Sequence, residues 1–189
     1  MTKNMLEILK NIDSNKGQVI NSLIKSNVLT VKDIVSAAIE SKNPSIIFSV
    51  TAYTNGLNNE DIDKLADAVI ATEDAKYIYS FARYIKGAPL EKLADAIIAT
   101  KDARYIYEFA CGVKGAPIEK LAKAIIATGN MEYINLFVQE TMAKLIKLAN
   151  NGDLKTIESG ADTYRSLLLG TEDEVQEKPK TKVRKIGNK

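Results

Sequence analysis

Apolar residues recur at helical spacing in two adjacent segments that are nearly the same. Residues 64–91 read KLADAVIATEDAKYIYSFARYIKGAPLE and residues 92–119 read KLADAIIATKDARYIYEFACGVKGAPIE, with 20 of 28 positions identical. In both segments the apolar side chains return every three or four residues, which is the spacing of one face of an α-helix. The pattern therefore predicts an all-α protein in which a short helical unit is repeated.

Each copy divides into two helices. Pro89 suits the first turn of one helix, Asp102 is a good N-cap for the other, and Gly115 favours a left-handed residue at its end. The apolar stripe predicted for the first helix is Leu90, Leu93, Ala94, Ile97 and Ile98. The stripe predicted for the second helix is Tyr105, Ile106, Phe109, Ala110 and Val113.

The pattern continues on both sides of these copies. Residues 120–137 read KLAKAIIATGNMEYINLF, and IVSAAIESKNPSIIFSV matches upstream with an offset of 31 residues, because its connection NGLNNEDID is three residues longer than KGAPLE. A single hairpin cannot bury both stripes, whereas stacked hairpins can. We therefore predict a right-handed α-solenoid of about five helical hairpins with a 28-residue repeat. The predicted parts are N-terminal capping helices (1–31), hairpin repeats (32–147), a C-terminal capping helix (148–170) and a disordered basic tail (171–189).

The segments LADAIIAT, YIY-x-FA and KGAP resemble the HEAT-like group of α-hairpin repeats, in a short variant. The resemblance covers roughly residues 32–142, and it extends to repeat proteins of low-GC bacteria and their phages. It implies stacked helical hairpins that bind a partner along one surface, which is DNA for some members of the group. The matching motifs are structural, so the resemblance implies no activity.

Composition argues against several kinds of chemistry. The chain has no histidine, the commonest general base and metal ligand, and its single cysteine, Cys111, cannot form an internal disulfide. We therefore predict a non-enzymatic protein with no cofactor, metal or small-molecule substrate. The lone cysteine, a start without a secretory apolar core, and the lack of an apolar run of about 20 residues favour a cytoplasmic protein without membrane contact.

The residues opposite the apolar stripe of the second helix are candidates for partner binding. Equivalent positions of a stacked repeat align in rows, and here they combine aromatic with basic side chains, which are typical of the energetic centres of protein interfaces. We predict that a protein partner binds this row. The alternative is that each aromatic ring packs against the adjacent hairpin, with its hydroxyl group in water. The predicted binding residues are Phe48, Lys76, Tyr79, Arg83, Arg104 and Tyr107.

Charge leaves two other functions open. Residues 64–119 carry eight basic and eight acidic side chains, and Asp67 and Asp95 are predicted to pair with Lys64 and Lys92 of their own helices. A nucleic-acid-binding solenoid would therefore depend on residues 120–147, with four basic and two acidic side chains, and on the tail. A structural role in oligomeric assembly is the third possibility. The predicted docking residues of the tail are Lys178, Lys180, Lys182, Arg184 and Lys185.

Overall fold

The computed structural model describes residues 14–150, and every regular element in that part of the chain is an α-helix. The predicted all-α class is therefore confirmed for these residues. The predictions made for residues 1–13 and 151–189 lie outside the described residues. The nine helices of the described part are α1 (Ser14–Lys25), α2 (Val31–Ser41), α3 (Pro44–Tyr53), α4 (Asn59–Ile70), α5 (Ala75–Tyr84), α6 (Leu90–Ala99), α7 (Ala103–Gly112), α8 (Ile118–Ala127) and α9 (Met131–Asn150).

The helices form a repeat-like arrangement in which alternate helices are neighbours. Helices α2, α4, α6 and α8 contact one another in succession, and so do α1, α3, α5 and α7. We call the first set the first-helix layer and the set α3, α5 and α7 the second-helix layer. Successive helices also contact each other from α2 through α8, so each element touches neighbours on several sides. The first compact unit ends at Lys144, and residues 145–150 complete α9 in a second unit.

Most residues of the predicted apolar stripes form the core. Leu93, Ala94 and Ile97 of α6 are fully buried, and Ile106 and Phe109 of α7 are buried as well. The predicted stripe residues Leu90, Ile98 and Tyr105 are only half-buried. The positions equivalent to the five buried residues, one repeat earlier and later, are also buried, except for the half-buried Ile134. Burying each large side chain contributes about 1.5–3 kcal/mol. The equivalent buried residues are Leu65, Ala66, Val69, Ile78, Phe81, Leu121, Ala122, Ile125 and Phe137.

The same turn joins the two helices of each hairpin. In the copy that follows α6, the Thr100 hydroxyl donates to the Ile97 carbonyl at 2.7 Å and accepts the Asp102 N–H at 3.3 Å. Lys101, between them, has a left-handed backbone with φ of 57°. The Asp102 carboxylate then caps α7 by accepting the N–H groups of Arg104 and Tyr105, as predicted. The equivalent triplets are Ser41-Lys42-Asn43, Thr72-Glu73-Asp74 and Thr128-Gly129-Asn130.

The connections between hairpins differ from the prediction in two details. Gly115 is left-handed, with φ of 83°, but it lies two residues beyond the C-cap of α7, which is Val113. The three extra residues expected in the connection before α4 do not lengthen the loop, because four residues separate Thr54 from α4 and four separate Ile85 from α6. They instead give α4 an additional first turn at residues 59–61.

Ion pairs cross between helices of the first-helix layer. The Lys92 ammonium group lies 3.1 Å from Asp63 and 2.5 Å from Asp67, both on the preceding first helix. Lys120 repeats this arrangement with Asp95 and Glu91. The predicted pairs of Asp67 with Lys64 and of Asp95 with Lys92 are therefore wrong, because each aspartate contacts a lysine of the next first helix. Lys64 instead pairs with Glu60 of its own helix.

We predict that Lys101→Gly stabilises the chain. A left-handed residue with a side chain costs the folded state about 1–2 kcal/mol, and glycine removes this cost. Part of the gain is lost because glycine has more conformational freedom in the unfolded chain. The expected gain is about 0.5–1 kcal/mol, measured as a higher midpoint of urea unfolding. Gly129→Lys should show the opposite shift at the equivalent turn. Lys114→Gly is the matched control, because Lys114 is exposed and has no left-handed backbone. A lower midpoint for Lys101→Gly would contradict the proposed strain.

Candidate partner-binding surface

The six residues predicted to bind a partner come from three helices of the second-helix layer. Helix α3 supplies Phe48, α5 supplies Lys76, Tyr79 and Arg83, and α7 supplies Arg104 and Tyr107. The three basic side chains are exposed. The aromatic side chains are not equally accessible, because Phe48 and Tyr107 are half-buried and Tyr79 is only 7% exposed.

The aromatic residues form a repeated contact between neighbouring second helices. The ring of Tyr79 on α5 lies 6.1 Å from that of Tyr105 on α7, measured between centroids. This geometry is typical of a tilted aromatic pair, which contributes about 0.5–1.5 kcal/mol beyond area burial. These contacts agree with the alternative that each aromatic ring packs against the adjacent hairpin. The role of Tyr79 and Tyr107 in binding a partner stays a prediction. The two equivalent pairs are Phe48 with Tyr77 at 6.3 Å and Tyr107 with Tyr133 at 5.9 Å.

Arg83 is held between two tyrosine rings. Its guanidinium carbon lies 5.7 Å from the ring centre of Tyr79 and 5.4 Å from that of Tyr84, and the guanidinium donates a hydrogen bond to the Tyr79 hydroxyl. An arginine over aromatic faces at these distances gains cation–π attraction and keeps its remaining donors available. The side chain of Arg83 is exposed, so these donors are accessible to solvent.

Tyr84 is an exposed aromatic residue that the sequence prediction missed. It is 64% exposed, and its ring meets Phe48 edge-on at 6.4 Å. The following copy has Gly112 at this position, where an added Cβ would lie 3.0 Å from both the guanidinium of Arg83 and the hydroxyl of Tyr79. The difference between Tyr84 and Gly112, in copies that are otherwise so similar, is the sequence signal that could have revealed this residue.

The two layers differ in charge. Helices α3, α5 and α7 carry three basic side chains and one acidic side chain, whereas α2, α4, α6 and α8 carry five basic and nine acidic ones. The Lys76 ammonium nitrogen lies 5.7 Å from the centre of the Tyr77 ring. The Arg104 Nε forms an ion pair with the Glu108 carboxylate at 2.9 Å. Lys76 and Arg83 therefore supply the positive charge of the second-helix layer.

Cys111 shows no sign of chemical activation. It is half-buried beside Tyr107, and burial raises the pKa of its thiol, so that less of it is the nucleophilic thiolate at neutral pH. Burial likewise raises the pKa of the Tyr107 hydroxyl. Among residues 14–150, no three acidic, cysteine or histidine side chains are placed to hold a metal ion. None of the helices described is both long and apolar enough to cross a bilayer.

The basic residues of the predicted tail lie outside the described residues, so their docking role stays a prediction. Comparisons with protein-family models, with curated proteins and with solved structures found no match. The described part of the chain is a repeat-like arrangement of α-helices, and one layer carries a basic and aromatic surface.

We predict that Tyr79→Ala lowers the free energy of unfolding by about 3 kcal/mol, because it removes a buried ring from between two helices. Tyr84→Ala should cost less than about 1 kcal/mol, since most of its ring is in solvent. Urea unfolding of the two variants checks both values. Equal losses would mean that Tyr84 is a packing residue too, and would remove it from the candidate surface.

Proposed function

We propose that this chain is a non-enzymatic binding module that recognises a protein partner through its second-helix layer. We further propose that the hairpins form a right-handed α-solenoid of the HEAT-like kind with a 28-residue repeat. The starts of α5, α7 and α9 at Ala75, Ala103 and Met131, spaced by 28 residues, support this architecture. The contacts between alternate helices support it as well.

The observation that carries the proposed function is the position of Arg83. An exposed arginine fixed between Tyr79 and Tyr84 loses little side-chain freedom when it binds, which favours affinity. Arginine and tyrosine are also the residues that dominate binding energy in protein interfaces. We define the proposed binding surface by its four exposed residues, Lys76, Arg83, Tyr84 and Arg104, with the half-buried Phe48 and Tyr107 beneath them. Tyr79 then supports this surface rather than anchoring the partner.

The charges of residues 120–147 support a protein partner better than nucleic acid. Phosphate tracking needs a continuous series of free cations, and two of the four basic residues in 120–147 are already paired with carboxylates. Lys120 contacts Asp95 and Glu91, and Lys144 lies 3.5 Å from Glu140. We also keep the cytoplasmic setting as a proposal, which rests on the single cysteine.

The test is capture of a partner from nuclease-treated lysate of the source cells. We expect Lys76→Glu/Arg83→Glu to reduce the amount captured at least about tenfold, because charge reversal opposes the partner at the centre of the surface. Tyr84→Ala should also weaken capture while leaving stability nearly unchanged. Lys123→Glu is the matched control, since Lys123 is an exposed lysine of the first-helix layer.

The outcomes separate the competing functions. Equal loss with Lys76→Glu/Arg83→Glu and with Lys123→Glu would indicate attraction to net charge rather than a defined surface. A partner lost on nuclease treatment would favour the nucleic-acid alternative. A partner that proves to be the chain itself, with a mass above that of the monomer in light scattering, would favour oligomeric assembly.

A further inference from the structure

A second candidate site lies away from the centre of the proposed surface, in a groove of about 660 Å³ between two connections. One wall is the connection that leaves α3 together with the additional first turn of α4. The other wall is the end of α5 and the connection that follows it. The lining residues are Thr51, Ala52, Thr54, Asn55, Gly56, Leu57, Asn59, Ile62, Tyr84, Ile85, Lys86 and Gly87.

Thr54 is the unusual residue of this groove. It is 7% exposed, and its side-chain hydroxyl is buried without a hydrogen-bond partner in the described part of the chain. Thr54 follows the end of α3, and the residues that follow α5 and α7 in the same way are Ile85 and Val113. These aliphatic residues are equally buried, so packing alone does not call for a hydroxyl here.

Burying a hydroxyl without a hydrogen-bond partner costs folding free energy. A ligand that supplies a hydrogen-bond acceptor to Thr54 would remove this cost. Thr51, one turn earlier, differs because its hydroxyl donates to the Ile47 carbonyl at 2.7 Å. Thr54 lines the groove, but its hydroxyl oxygen is closed to solvent in the unbound chain. A rotation of the Thr54 side chain toward the groove would let a bound carbonyl or carboxylate oxygen accept its proton. The Thr54 hydroxyl therefore favours a ligand that offers hydrogen-bond acceptors.

The charge of the groove identifies the ligand further. Lys86 is exposed at the rim, and none of the twelve lining residues is acidic. The carboxylates nearest in sequence are engaged elsewhere, since Glu60 pairs with Lys64 at 2.5 Å and Asp61 accepts the N–H of Asn58 at 3.2 Å. A ligand with a negative charge therefore meets attraction without a competing carboxylate in the lining.

We propose that this groove binds an acidic segment of a partner protein. Lys86 attracts a carboxylate of the segment, the Thr54 hydroxyl donates to one of its oxygen atoms, and Leu57 and Ile62 pack against an apolar side chain. A peptide fits better than nucleic acid, because the lining combines one cation with several apolar side chains. This proposal does not require the second-helix surface to bind, although Tyr84 borders both.

The probe is the acetylated, amidated peptide Gly-Glu-Leu-Glu-Gly, titrated into the full chain and followed by amide chemical shifts in two-dimensional NMR. We expect the largest shifts at the amides of Gly56, Leu57 and Gly87. Thr54→Val and Lys86→Gln should each weaken binding by about threefold or more. Lys114→Gln is the matched control, because Lys114 occupies the place of Lys86 one repeat later, and it should leave the affinity unchanged.

Stability provides the second readout for the same variants. Thr54→Val should raise the midpoint of thermal unfolding by about 2–4 °C, because it removes an unsatisfied hydroxyl, while it weakens the peptide complex. A lower midpoint would mean that the hydroxyl has a structural partner and would overturn the proposal. Equal binding of the matched Gly-Gln-Leu-Gln-Gly peptide, shifts confined to other surfaces, or no binding at 10 mM peptide (roughly the weakest affinity of interest) would overturn it as well.

Discussion

The burial of aliphatic stripes between successive hairpins is the interaction on which the rest of the structure depends. Leu65, Leu93 and Leu121 occupy the same position in three copies, and each is completely buried. A hairpin of two ten-residue helices has too little apolar surface inside it to offset the ordering of its backbone, so it needs neighbours on both sides. This requirement explains why the copies keep an aliphatic stripe.

Packing of these stripes between neighbouring helices sets the register of the weaker contacts. Once α4, α6 and α8 lie side by side, Lys92 and Lys120 reach equivalent pairs of carboxylates on the preceding helix. The second helices acquire equivalent aromatic pairs in the same way, as Tyr79 with Tyr105 illustrates. Exposed ion pairs of this kind contribute little, typically below about 1 kcal/mol, so they follow from the arrangement rather than cause it.

The sequence predicted the features that depend on local residues, and it failed where the identity of the neighbouring helix decides. The stripes of α6 and α7 and the Asp102 cap follow from spacing within one helix. Taken by itself, a helix with one apolar arc has a single opposite face, and this reasoning places Tyr79 on that outward face. In the structure α5 contacts α3 and α7 on its flanks, so a residue on the flank is buried as well.

Departures from the repeat are more informative about function than the repeat itself. The buried stripes that the copies share are accounted for by packing. Thr54 in place of an aliphatic residue and the additional first turn of α4 are differences that packing does not require. Both border one groove. Because a valine at position 54 would avoid burying an unsatisfied hydroxyl, the threonine indicates a constraint other than stability, and binding at this groove supplies one.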